Sequence, residues 1–213
     1  MSLLCVLIFV LIAAFNSGCS GPKEEPSISL ALAIQRADIN QLQRHIVWGA
    51  DLNQPLGDGR PALLHAAESG HIVSVQMLLK AGASIDIKDQ YGRDALYLAL
   101  RAGHPKVADV LLKAGMRLEL ESLLQRLVAD GLSDRDSLAF LKDRGANFNQ
   151  LIKGDTLLNQ AVSWQRLEQA KQLILAGADA NKADGAGLTP LQLAERLGNQ
   201  DMIRLLKREG AGQ

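Results

Sequence analysis

Glycine recurs at Gly49, Gly82 and Gly115 and again at Gly177 and Gly210, each step being 33 residues. Alanine follows the same step at Ala33, Ala66 and Ala99, then at Ala161 and Ala194. So does leucine, at Leu30, Leu63, Leu96, Leu158 and Leu191. Three residue types on one period restrict the chain to an array of a repeated supersecondary unit. A unit of this size cannot bury its own apolar face, so neighbouring units must stack for any of them to be stable. Runs such as Val75-Gln76-Met77-Leu78-Leu79 and Val107-Ala108-Asp109-Val110-Leu111-Leu112 supply that face at helical spacing. The glycines that follow can take the left-handed conformation that ends a helix. Aromatic residues make up only 4% of the chain, which suits short helices packed closely through small residues. The pattern predicts an all-α solenoid.

Within that period lie motifs of known form. Gly187-Leu188-Thr189-Pro190-Leu191-Gln192-Leu193-Ala194 is the fullest, with Thr189 placed to cap a helix and Pro190 in its first turn. Related segments are Asp58-Gly59-Arg60-Pro61-Ala62-Leu63-Leu64-His65-Ala66-Ala67 and Gly92-Arg93-Asp94-Ala95-Leu96-Tyr97-Leu98-Ala99. A closing signature reads Gly49-Ala50-Asp51-Leu52-Asn53 and Gly177-Ala178-Asp179-Ala180-Asn181, with variants at Gly82 to Asp86 and Gly145 to Asn149. These segments resemble ankyrin repeats, whose period is 33 and whose signature is T-P-L-H-x-A. The resemblance implies an all-α ankyrin-repeat solenoid of about six helix-turn-helix units with short hairpin loops. The units run 27–56, 57–89, 90–119, 120–150, 151–184 and 185–213. The fourth is irregular: Gly115 to Gly145 spans only 30 residues, and no Gly-x-Thr-Pro-like turn precedes Ser122. A shortened turn or hairpin finger is expected there, either as neutral drift or as an irregularity shaped by a partner.

Ahead of the array, Leu3 to Phe15 is an unbroken apolar run of thirteen residues. A spanning helix needs about 20. The run fits the apolar core of a secretory signal peptide, residues 1–18, followed directly by small residues. Phe15-Asn16-Ser17-Gly18-Cys19 resembles a bacterial lipobox, in which the cysteine sulfur receives a diacylglycerol before the signal is removed. Asn16 stands where a Leu-like residue is usual, and the n-region, Met1-Ser2, carries no Lys or Arg. Residues 19–26 are polar, with Pro22 and Pro26, and read as a tether. The resemblance implies an exported, periplasm-facing protein joined to a membrane through lipid at Cys19, with Ser20 pointing to the outer membrane.

Lys plus Arg equals Asp plus Glu at 23 each, so no global field draws the chain to nucleic acid. Both cysteines, Cys5 and Cys19, precede the array, which excludes a disulfide within it and the Cys-rich zinc patterns. His71 and His104 occupy one repeat position, where the resemblance assigns histidine a structural role at the second helix; no metal site is expected. No Gly-x-Ser-x-Gly elbow, P-loop or Gly-x-Gly-x-x-Gly occurs. Neither catalysis nor a cofactor is expected.

The remaining expectation is binding. Ankyrin partners usually dock on the concave face, formed by hairpin tips and inner helices. Carried over by position, that face contains Arg60, Glu68, Ser69, Tyr91, Arg93, Arg101, Asp155, Ser163, Trp164 and Arg196. Trp, Tyr and Arg are the side chains that most often dominate interface energy. Trp164 reads either as a groove anchor or as a filler for packing lost where Gln165 occupies the usual glycine site. The expected partner is another protein. It is bound by a module of the bacterial envelope, by an immunity protein that neutralises a toxic effector, or by a stabiliser of an exported enzyme.

Overall fold

The computed structural model describes residues 24–212. The expected signal peptide and the expected lipidation at Cys19 lie outside the described residues. The described residues form twelve helices in six pairs. The pairs are α1 (Leu30–Gln35) with α2 (Ile39–Trp48), α3 (Ala62–Glu68) with α4 (Ile72–Lys80), and α5 (Ala95–Arg101) with α6 (Pro105–Lys113). They continue as α7 (Leu120–Ala129) with α8 (Arg135–Asp143), α9 (Leu157–Ser163) with α10 (Leu167–Ala176), and α11 (Pro190–Arg196) with α12 (Gln200–Arg208). First helices stack on first helices and second on second, giving an inner and an outer layer.

The periodic residues explain the stacking. Ala33, Ala66, Ala99, Ala161 and Ala194 are fully buried, each on an inner helix where the absence of a long side chain lets neighbours approach. Four residues before the closing glycines, Leu78, Leu111, Leu141, Leu173 and Leu206 form a buried row along the outer helices. Each such leucine contributes about 1.5–3 kcal/mol through apolar burial. In the first unit this position is His45, whose Nε2 donates to the Ile28 carbonyl at 2.8 Å. A polar residue there ties the leading segment onto α2, as do the paired hydrogen bonds between Ser27 and Gln41.

The closing signature has a clear division of labour. Asp51, Asn147 and Asp179 each accept from the backbone N–H two residues on, folding a local turn. The Asn at the end of the signature then reaches the next unit. Asn53 Oδ1 accepts from the Ser84 N–H at 2.7 Å, Asn149 Oδ1 from Asp179 at 2.7 Å, and Asn181 Oδ1 from Gly212 at 2.8 Å. Gly49 and Gly177 close α2 and α10 in the left-handed conformation.

Hairpin fingers join one pair to the next. Bridges Pro55–Pro61 and Lys88–Asp94 close two of them, and β1 (Leu151–Ile152) pairs antiparallel with β2 (Asp155–Thr156) in a third. The β1–β2 turn, Lys153-Gly154, has positive φ at both residues, as a two-residue type I′ hairpin requires. The next finger packs on it directly: the Gly185 N–H donates to the Gly154 carbonyl at 2.6 Å.

The fourth unit departs from this plan. Only residues 114–119 connect α6 to α7, against thirteen or fourteen residues at the other unit junctions, so the finger is missing. The inner helix α7 is instead ten residues long where its counterparts have six or seven. Leu127, fully buried, takes the position that is alanine in every other unit. The last carbonyls of α7 are bonded from the following unit, Val128 by Gln169 Nε2 at 2.6 Å and Ala129 by Arg166 at 2.8 Å.

Candidate functional site

The ten residues expected on the binding face fall into three groups along the array. In the second unit the finger carries Asp58 and Arg60, and α3 carries His65 and Glu68 one and two turns on. Arg60 Nε donates to Asp58 at 3.0 Å, its Nη1 is bonded to Glu68, and His65 Nε2 lies 2.7 Å from the second Asp58 oxygen. Burial pushes the Asp58 carboxyl up, but the His65 hydrogen bond and the Arg60 contacts outweigh it and hold its pKa at about 2. Burial likewise opposes the charge on Arg60, and the bonds to Glu68 and Asp58 reverse that, so its pKa rises. Arg60 and Glu68 therefore satisfy each other, and the exposed Ser69 sits beside them on the rim of the same recess.

The third unit presents its finger tip. Tyr91 is 68% exposed, the Arg93 guanidinium lies 4.7 Å from its ring centroid, and Asp89 accepts from Arg93 Nε at 2.7 Å. Burial raises the Asp89 carboxyl, yet the Arg93 backbone and side-chain bonds carry it below the usual carboxylate range. Asp89 also accepts the Tyr91 and Arg93 backbone N–H groups, which fixes the loop under the exposed ring. Arg101, exposed at the end of α5, lines a shallow recess with Asp130 and Asp134 of the fourth unit.

In the last two units the groups are more dispersed. Asp155 lies on β2, partly buried; burial pushes its carboxyl up, the Thr156 N–H pulls it down, and nearby Asp184 adds repulsion. Ser163 and Trp164 are exposed at the end of α9. Trp164 is 44% exposed with the Arg166 guanidinium 4.6 Å from its ring, so the indole does not replace buried packing. Gln165 beside it is held at φ +55° in the turn where four units have glycine and the first has Ala37 at φ +50°. Arg196, at the end of α11, is exposed.

Two aromatic–arginine pairs thus stand out of the surface, Tyr91 with Arg93 and Trp164 with Arg166. Stacked guanidinium and ring make a rigid contact that is both apolar and cationic, worth about 0.5–1 kcal/mol when exposed and more once water is excluded.

Of the two repeat histidines, His104 has a packing explanation. A Cβ on Gly70 would lie 2.7 Å from His104 Nδ1, so the His104 ring rests directly on that glycine. Asp134 rests on Gly103 in the same way, and Arg166 on Gly131. Among the described residues no group of three or more His, Cys, Asp or Glu could hold a metal ion.

Several site residues escaped the sequence reading. Tyr97, fully buried, donates its hydroxyl to Asp130, and the Arg126 guanidinium lies 4.7 Å from the Tyr97 ring while Nη2 donates to the Gly92 carbonyl at 3.1 Å. Burial pushes the Asp94 carboxyl up beside this cluster, against the opposing charges of Arg126 and Lys88. Repeat spacing does not mark this contact: the shortened fourth unit puts Asp130, the C-cap of α7, at the position of Ala102, so the hydroxyl and the carboxylate meet from unlike positions of adjacent units.

Comparison with known proteins agrees with this geometry. A family model described as ankyrin repeats, in three copies, matches residues 30–122, and a single ankyrin-repeat model matches residues 186–212. The human ASB11 ankyrin repeat domain superposes with a TM-score of 0.64 at 26% identity, covering 87% of this chain and 85% of that one. A chain from the complex of a predatory endopeptidase and an immunity protein of Bdellovibrio bacteriovorus superposes with a TM-score of 0.61 at 23% identity, covering 86% and 99%. That likeness concerns the fold. An L-asparaginase of Dirofilaria immitis is 31% identical over 183 residues, 84% of this chain and 31% of the relative. The chain spans less than a third of the length of the curated relatives it matches.

Proposed function

The chain belongs to the ankyrin-repeat family, and from that premise we propose that it is a non-catalytic module that holds another protein against its fingers and inner helices. The observation that carries this reading is the pair of exposed aromatic–arginine stacks, Tyr91 with Arg93 and Trp164 with Arg166, on either side of the fourth unit. Large rings fixed in place lose little side-chain freedom on binding, and arginine and aromatic side chains are the commonest interface anchors. Arg101, Ser163 and Arg196 add exposed polar groups on the same inner helices. Asp58, Arg60, His65 and Glu68 act as a preset charged cluster at one end of the face.

The module is exported and held on a membrane by lipid at Cys19. The support is the thirteen-residue apolar run from Leu3 to Phe15, the small residues Ser17 and Gly18 before Cys19, and the polar stretch that follows. Cys19→Ser in the full chain is expected to shift the protein from the detergent phase to the aqueous phase; partition unchanged by the substitution contradicts the anchor.

Affinity capture from envelope extract tests the binding face. The mature chain and a Tyr91→Ala, Arg101→Ala, Trp164→Ala variant of equal helical content are compared. A protein retained by the first and lost by the second supports the reading. Equal capture by both refutes the assignment of these residues. The captured protein also decides the role: a toxic effector indicates neutralisation, and an exported enzyme indicates stabilisation.

A further inference from the structure

The finger of the sixth unit covers that of the fifth, and the fourth unit has no finger to do the same for the third. In the fifth and sixth units the contact is a backbone hydrogen bond, Gly185 N–H to Gly154 O at 2.6 Å, and a Cβ on Gly185 would come within 3.0 Å of that oxygen. The position matching Gly154 in the third unit is Gly92. With only residues 114–119 between α6 and α7, no following finger exists to reach its carbonyl, and the Arg126 side chain donates to it instead. The guanidinium satisfies the oxygen but supplies neither the backbone strands nor the side chains of a finger.

The two fingers that border the vacancy differ from the others in their surface. Tyr91 in the third unit and Leu151 in the fifth are 68% and 50% exposed, and they are the large hydrophobic side chains that the fingers leave in solvent. Adjacent packed helices lie about 8–10 Å apart. Fingers two units apart are therefore separated by about 16–20 Å, which leaves room for one two-stranded layer about 10 Å thick.

We propose that this slot is the recognition pocket of the module and that its occupant is a β-hairpin loop of the protein partner, which takes the place of the missing finger. The chain itself specifies the occupant's chemistry. The fifth unit's finger, with its two-residue Lys153-Gly154 turn and flanking apolar residues Leu151 and Ile152, is the element that fills the equivalent space one unit along. A hairpin of that kind presents backbone N–H groups toward Gly92 and apolar side chains toward Tyr91 and Leu151. The extra turn of α7 forms the floor. This assignment rests on the protein-binding reading and narrows it to one place and one structural class of ligand.

The probe is a disulfide-cyclised peptide carrying residues 149–157 of this chain, titrated into the isotope-labelled mature protein while backbone amide shifts are followed. Shifts confined to Tyr91 to Arg93, Arg126 and Gln150 to Ile152 are expected. Affinity should fall at least tenfold in a Tyr91→Ala, Leu151→Ala variant. A second variant restores a finger by inserting a copy of residues 84–91 between Gly115 and Met116; with its remaining amide spectrum intact, it should give no slot shifts. No shifts in the parent, shifts on the outer helices, or equal shifts in the restored-finger variant overturn the proposal. A parent chain that sediments as a dimer through this slot also overturns it, by assigning the space to a second copy. If the peptide fails while the alanine variant above still loses its captured protein, the binding face stands and only the slot is wrong.

Discussion

Gly70→Ala separates packing between units from the intrinsic demand of a turn. Gly70 and Gly59 both have positive φ, +74° and +81°. A Cβ at Gly59 meets nothing within 4 Å, whereas one at Gly70 comes within 2.9 Å of three atoms of the His104 ring, including Cγ close to its root. His104 is the N-cap residue of α6, and its backbone N–H is bonded to the Ala99 carbonyl at 2.8 Å, so the ring cannot swing clear without disturbing the helix start. Gly59→Ala should cost only the left-handed backbone penalty, about 1–2 kcal/mol. Gly70→Ala should cost that plus an overpacking cost of about 1–3 kcal/mol. In an array of this size each kcal/mol moves the thermal midpoint by about 2–4 °C. Thermal and urea unfolding of the mature chain, Gly59→Ala, Gly70→Ala, His104→Ala and the double variant Gly70→Ala, His104→Ala would measure this. The double variant should recover the excess cost of Gly70→Ala, because the two sites are in direct contact. Equal destabilisation by Gly59→Ala and Gly70→Ala, with no coupling to His104, would mean that the His104 ring does not constrain Gly70.

Other outcomes follow from the same structure. Leu111→Asp places a carboxylate in the fully buried row between outer helices and should cost several kcal/mol, with loss of helical circular dichroism at 37 °C; an unchanged spectrum contradicts the stacking account. Gln165→Gly should raise stability by about 0.5–1 kcal/mol, since it relieves a non-glycine residue at φ +55° at the entropic cost of glycine; a lowered melting temperature would be the contrary result. The pKa of Asp58 falls from 3.8 unfolded to about 2 folded, so its contribution is complete above the unfolded value and is lost as pH falls from 3.8 through 2. Its side chain is 42% exposed, so after solvent screening the contribution is about 0.5–1 kcal/mol. The stability gap between the parent and Asp58→Asn, measured by urea unfolding, should therefore close as pH falls from 4 to 2, and a gap unchanged over that range would be the contrary result.

Much of the architecture is written in single-residue spacings. The Gly and Ala steps of 33 mark helix ends and close contacts because each has a local cause: one residue needs positive φ, the other needs a small side chain. The 30-residue step from Gly115 to Gly145 announced an irregular unit. It did not say that the connection loses its whole finger while α7 grows by a turn, because length alone does not divide itself between loop and helix. Thr189 was legible as a cap, and it accepts from the Gln192 N–H in a reciprocal capping box. The binding face was legible by position but not by partnership. Nothing near Arg60 in sequence shows that Glu68 and Asp58 neutralise it, since that depends on how a finger folds over a helix. Tyr97 reads as a core residue in an apolar helix, and only its Asp130 partner in the next unit reveals a polar contact. Contacts between units are invisible to a reading made within one unit, and a count of 33 residues does not recover them across the shortened fourth unit.

Site-specific photo-crosslinking locates the partner on the inner or the outer face. A photoreactive amino acid is placed singly at Tyr91, at Trp164, and at the outer-helix positions Gln76 and Leu175 in the full chain in its native cells. Tyr91 and Trp164 are expected to crosslink the same protein, and Gln76 and Leu175 are expected not to. Adducts formed at Gln76 or Leu175, with none at Tyr91 and Trp164, would place the binding surface on the outer helices instead.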